Sequence, residues 1–79
     1  MNTGGMMAGK EREALYRQRG KVLNHARDLA RSGEHADHQT ILPQLATLED
    51  FEAVRWVFED RALCVQLDLL CTRARRAAA

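Results

Sequence analysis

A chain of 79 residues, 46% hydrophobic and 29% charged, has room for one domain and one small core. Five Gly and one Pro are too few turn residues for a loop-rich or all-β fold, and no apolar run approaches the roughly 18 residues of a membrane span. The N-terminus lacks the basic-then-apolar pattern of a secretory signal, so the location expected is cytoplasmic. Net charge is +1 but uneven. Residues 1–33 carry seven Lys/Arg against three acids, +4; residues 34–60 carry one Arg against seven acids, −6; residues 61–79 carry four Arg against one acid, +3. This pattern reads either as basic ends packed against an acidic middle, or as a basic surface for nucleic acid or an acidic one that mimics it.

Met1–Gly9 is Met, Gly, Thr and Asn without apolar periodicity and is expected to be a disordered tail. Lys10–Ser32 reads as the first helix. Leu15, Val22, Ala26 and Leu29 form its apolar stripe, with Leu23 and Ala30 on the flank. The 15, 22, 29 spacing is heptad-like over only two repeats. Lys10, Arg17, Lys21 and Arg31 share the far side, where a solvated face is the plain expectation. Arg19 projects from the middle of the apolar stripe, so its guanidinium must snorkel or meet a carboxylate. Gly20 costs about 1 kcal/mol of helix propensity and suggests a close helix crossing. Gly33 suits the left-handed cap position.

Glu34–Asp37 is a connecting turn. A second helix over 38–47 turns Ile41, Leu45 and Leu48 inward. If Thr40 caps it, Pro43 falls harmlessly in the first turn; if Asp37 caps it, Pro43 lies inside the helix and bends it.

Leu48–Arg76 contains no Gly and no Pro, and holds the single Trp, both Phe and both Cys. At about 100° per residue, Phe51, Val54, Phe58, Ala62, Val65 and Leu69 align as one buried stripe. Leu63, Leu67, Leu70, Cys71 and Ala74 align on nearly the opposite side. A break near Glu59–Asp60, with Asp60 as cap, would fold both stripes toward one core. The expected architecture is all-α, a small three- or four-helix bundle over 10–76, with helices 10–32, 38–47 and 49–76, the last split near 60. Residues 77–79 form a tail.

The string Ala26-Arg27-Asp28-Leu29-Ala30-Arg31-Ser32-Gly33, followed by His35, Asp37, Ile41 and Leu45, resembles short uncharacterised bacterial helical proteins. The end, Leu67-Asp68-Leu69-Leu70-Cys71-Thr72-Arg73-Ala74-Arg75, is similar to the ends of the same sequences. The resemblance covers about half the chain and implies no activity.

Chemistry is sparse. Cys64 and Cys71 are seven residues apart, about 10.5 Å of helical rise, too far to bridge each other, and read as small buried hydrophobes. His35 and His38 beside Glu34 and Asp37 have a spacing that can share a metal, but no third ligand is identified and a solvated turn is expected. No cofactor is implied. There is no nucleophile–base pair, no Gly-rich phosphate loop and no defensible carboxylate pair, so an enzyme and a small-molecule substrate are not expected.

A helix-turn-helix reading fails because 50–59 would present Asp50, Glu52 and Glu59 to phosphate with only Arg55 in favour. The better nucleic-acid reading uses Arg17, Lys21, Arg31, Arg73, Arg75 and Arg76 as a non-specific basic surface. The reading favoured over it is a non-enzymatic protein-interaction or regulatory module working through an apolar helical face. Its partner would be itself, as a homodimer, or another protein. Trp56, Leu63, Val65, Leu67 and Leu69 are the candidate core or interface residues, with the division between the two left open. A charge at Val65 or Leu69 is expected to dissociate such a dimer.

Overall fold

The computed structural model describes the backbone over residues 9–78 and the side chains from Arg12 to Ala78. Among these residues there are four helices and no strand: α1 Gly9–Arg31, α2 His38–Leu48, α3 Phe51–Phe58 and α4 Arg61–Ala78. The expected N-terminal tail lies outside the described residues apart from Gly9, which opens α1. Ala77 and Ala78, expected in a tail, continue α4. No helix of the described residues is long and apolar enough to cross a membrane.

Each of the last three helices starts on an aspartate. Asp37 accepts from the Gln39 and Thr40 backbone N–H groups at 2.9 and 3.3 Å. Asp50 accepts from Ala53 N–H at 3.0 Å and Asp60 from Leu63 N–H at 3.3 Å. Such a cap is worth about 1 kcal/mol, because it satisfies backbone donors that the helix itself leaves free. The choice at α2 thus falls to Asp37 over Thr40, with Pro43 inside the helix. Three of the seven acids between 34 and 60 are accounted for as caps of short helices.

The reading of basic ends packed against an acidic middle is not carried by Arg or Lys ion pairs. Among the described residues, no Arg or Lys forms an ion pair between helices. Arg31–Asp28 at 3.8 Å and Arg55–Glu59 at 3.6 Å are both local.

The chain breaks at Glu59–Asp60, as expected, and the break decides which side of α4 is inside. The core takes Val22, Ala26 and Ala30 from α1, Ile41 and Leu45 from α2, Ala53, Val54 and Val57 from α3, and Leu63, Leu67 and Cys71 from α4. Burying a Leu or Ile side chain in full stabilises by about 1.5–3 kcal/mol, so Ile41, Leu45 and Leu67 are its anchors. The stripe drawn from Phe51 to Leu69 is not a buried line. Val54 is buried and Phe58 half-buried, but Phe51, Ala62, Val65 and Leu69 are exposed. A helical phase counted through Phe58 does not survive a change of axis at residue 60. Leu48, expected to face inward from α2, is exposed as well.

Gly33 has φ +82°, the left-handed conformation expected of it. A side chain there would meet the Ala74 carbonyl oxygen at 3.7 Å and Ala78 Cβ at 3.9 Å. At the other end of the pair, Leu23 and Arg27 share a cleft with Ala62, Leu63 and Gln66. α1 and α4 therefore run parallel, with both C-termini at one end. α2 runs the other way, its start beside Asp68 and its end beside His25. Gly20 does not mark a close crossing: a Cβ placed on it meets nothing within 4 Å.

Candidate functional site

The three histidines are structural ties. Thr40 Oγ1 spends its one proton on the Asp37 carbonyl at 2.9 Å, so His35 Nδ1, 2.9 Å from that oxygen, is the donor to it. His35 is buried, which overturns the solvated turn expected here: the turn is folded over its own imidazole. His38 offers both its backbone N–H, at 2.8 Å, and its Nδ1, at 2.7 Å, to the same Asp68 oxygen. Asp68 of α4 thereby caps α2 from outside, adding to the two N–H groups held by Asp37. Burial raises the Asp68 carboxyl, but the His38 backbone N–H, the imidazole hydrogen bond and its charge outweigh this and hold it below its ordinary value. His25 Nδ1 lies 2.9 Å from Glu49 Oε2 and fastens the end of α2 to α1. No three His, Cys, Asp or Glu among the described residues are placed to share a metal.

Cys64 and Cys71 are free and buried. The Cys64 thiol donates to the Phe58 carbonyl at 3.4 Å, across the α3–α4 break. Burial, then the charges of Asp68 and Asp60, push the Cys64 thiol up. Burial, then Asp68 and Asp37, do the same for Cys71 despite Arg75. Neither is an activated nucleophile.

The candidate core or interface set divides cleanly. Leu63 and Leu67 are core; Trp56, Val65 and Leu69 stand at the surface, 50%, 53% and 52% exposed. Val65 and Leu69 lie one turn apart on the side of α4 opposite Leu67 and Cys71. Phe51, at 60%, joins Leu42, Ala46, Val54 and Phe58 around a cleft of ≈ 280 Å³ between α2 and α3.

Arg19 is partly buried and meets no carboxylate among the described residues. Its guanidinium carbon lies 3.7 Å from the Trp56 ring centroid and 5.8 Å from that of Tyr16. Its Nε is buried without a hydrogen-bond partner. Beside the stack opens a cleft of ≈ 310 Å³ whose walls include Arg19, Arg27, Trp56, Asp60 and Gln66. Tyr16 and Trp56 are both exposed around this charge. The placement of an Arg inside an apolar stripe marked the position in the sequence, whereas nothing there announced that its partner would be Trp56.

The basic set is split by the packing. The parallel α1–α4 pair brings Arg31, Arg73, Arg75 and Arg76 to one end of the molecule, all exposed. Arg17 and Lys21 lie about 15–21 Å back along α1 and do not join them. Comparison with family models, with characterised proteins and with solved structures returns no match.

Proposed function

We propose that the chain is a small non-enzymatic module, acting in the cytoplasm, that presents apolar helical surface to protein and works as a homodimer. The observation that carries this reading is surplus apolar surface on a chain whose core is already closed. Trp56, Val65 and Leu69 are half-exposed while Ile41, Leu45 and Leu67 are fully buried. Large apolar side chains left outside a closed core on a small domain mark contact surface, and Trp is the side chain most often found at the energetic centre of one. Light scattering across a wide dilution series tests it. The expected result is a rise from the 9.0 kDa chain mass toward twice that value. A single 9.0 kDa species at every concentration refutes the homodimer.

The gathering of Arg31, Arg73, Arg75 and Arg76 supports a second reading, a nucleic-acid-binding regulator that contacts phosphates without reading sequence. Four phosphate contacts give a salt dependence of log K on log salt with slope about −3.6. DNA retention that falls with salt, and falls further when Arg73, Arg75 and Arg76 are neutralised, is its expected outcome. No binding to any DNA at low salt removes it.

A further inference from the structure

We propose that the homodimer forms across the seam between α1 and α3, with a second copy of the chain related by a two-fold axis near Trp56. The basic edge of α1 on each copy then meets the acidic edge of α3 on the other. This rests on the reading that the chain self-associates, and it names the face.

Arg12, Tyr16, Arg19, Leu23 and Arg27 recur at spacings of three and four and share one side of α1. On α3, Glu52, Trp56 and Glu59 recur likewise, and Asp60 follows. Trp56 stands where the two edges meet. One side of it belongs to the cleft where Arg19 and Arg27 face Asp60, the other to a groove it shares with Glu52, Arg55 and Glu59.

No ion pair crosses this seam among the described residues. Among the described residues Arg12, Arg19 and Arg27 meet no carboxylate and Glu52 meets no cation, while Asp60 caps α4 and Glu59 pairs only with Arg55 within its own helix. Two edges of opposite sign thus lie side by side with most of their charge unanswered, flanking exposed Trp56 and Tyr16.

A two-fold contact needs a self-complementary patch, in which what residue i meets on the partner also meets i in return. A positive strip beside a negative strip meets that requirement: rotation about the line between them lays each on its opposite. The outer face of α4 does not meet it. The charged residues exposed on α4 are Arg61, Arg73, Arg75 and Arg76, while its one carboxylate, Asp68, is engaged by His38. A second copy laid on that face brings cation to cation. The Val65–Leu69 pair is therefore left free in the dimer.

The test is a charge swap on the full chain. One variant carries Arg12→Glu and Arg27→Glu, so both its edges are acidic; the other carries Glu52→Lys and Glu59→Lys, so both are basic. Arg19 and Trp56 are untouched. Light scattering and native mass spectrometry read each variant alone and in equal mixture, with circular dichroism to show that helix content is kept. Each variant alone is expected to dimerise at least about tenfold more weakly than wild type, and the mixture to form a heterodimer of the summed mass. Leu69→Glu is expected to leave the wild-type dimer intact, in place of the dissociation that the sequence alone leads one to expect.

Reversed variants that self-associate like wild type, or folded variants whose mixture stays monomeric, overturn the proposal. If Leu69→Glu dissociates the dimer and the reversals do not, self-association stands and the seam is wrong. If wild type is monomeric throughout, both readings fall. The wild-type dimer also weakens as salt rises, since exposed charges are screened. A dimer indifferent to salt overturns the proposal however the variants fold.

Discussion

Leu67 and Leu69 are the same residue two positions apart on α4, and the fold gives them opposite fates. Leu67 is fully buried in the core, whereas Leu69 is 52% exposed. Leu67→Ala removes three buried carbons and leaves a cavity that neighbours from three other helices fill only in part. Substitutions of this kind cost about 2–5 kcal/mol, with about 3 kcal/mol a central value. At about 4–8 °C per kcal/mol for a domain of this size, the melting temperature falls by about 12–24 °C. Leu69→Ala exchanges surface for surface, and Ala is the better helix former, so the change stays within about 0.5 kcal/mol. Thermal and urea unfolding followed by circular dichroism, at a dilution where dimerisation contributes nothing, reads both. Equal losses, or a larger loss at Leu69, would show that α4 faces the core with the other side and would remove its outward apolar face.

Three further outcomes follow from the polar contacts. Asp68 titrates below its ordinary value in the fold, so its contribution is present above the unfolded carboxyl pKa, about 3.9, and is lost as pH falls through the lower folded value. Asp68→Asn should flatten the acid limb of stability against pH. Because Asp68 is 41% exposed, solvent screening keeps the difference below about 1 kcal/mol. Identical acid limbs in urea titrations would count against the tie between α2 and α4. Arg19→Met keeps the apolar stem and deletes the charge over the indole; it should cost about 0.5–2 kcal/mol and shift the emission of the single Trp, and an unchanged spectrum would deny the stack. Cys64 and Cys71, buried and with raised thiol pKa, should react with a thiol reagent only on unfolding; rapid labelling of the native chain would contradict their burial.

The helix boundaries were legible because their signals are local. Asp60 stands directly ahead of an apolar periodic run and Gly33 occupies the conformation its lack of a Cβ permits, whereas Asp37 competes with Thr40 along the sequence and Asp50 is not singled out there as a cap. The inner side of α4 was legible as an apolar line through Leu63, Leu67 and Cys71, though not which of its two lines was inner. That choice depends on the angle between α3 and α4, set by tertiary packing and absent from any count along the chain. The same limit hid the histidine ties. His38 and Asp68 are 30 residues apart, and His25 and Glu49 are 24, so their pairing is a product of topology. Arg19 could be flagged as misplaced from periodicity alone, but its resting place on Trp56 required α3 to cross α1.

Parallel packing of the first and last helices has an electrical consequence. Antiparallel neighbours largely cancel their dipoles; these two add, placing about half a negative charge from each at the same pole. Arg31 sits in the last turn of α1, and Arg75 and Arg76 in the last turn of α4. The arginines there act as counterions to two carbonyl-rich helix ends held within one turn of each other. Removing them would fray that pole before it disturbed anything bound to it.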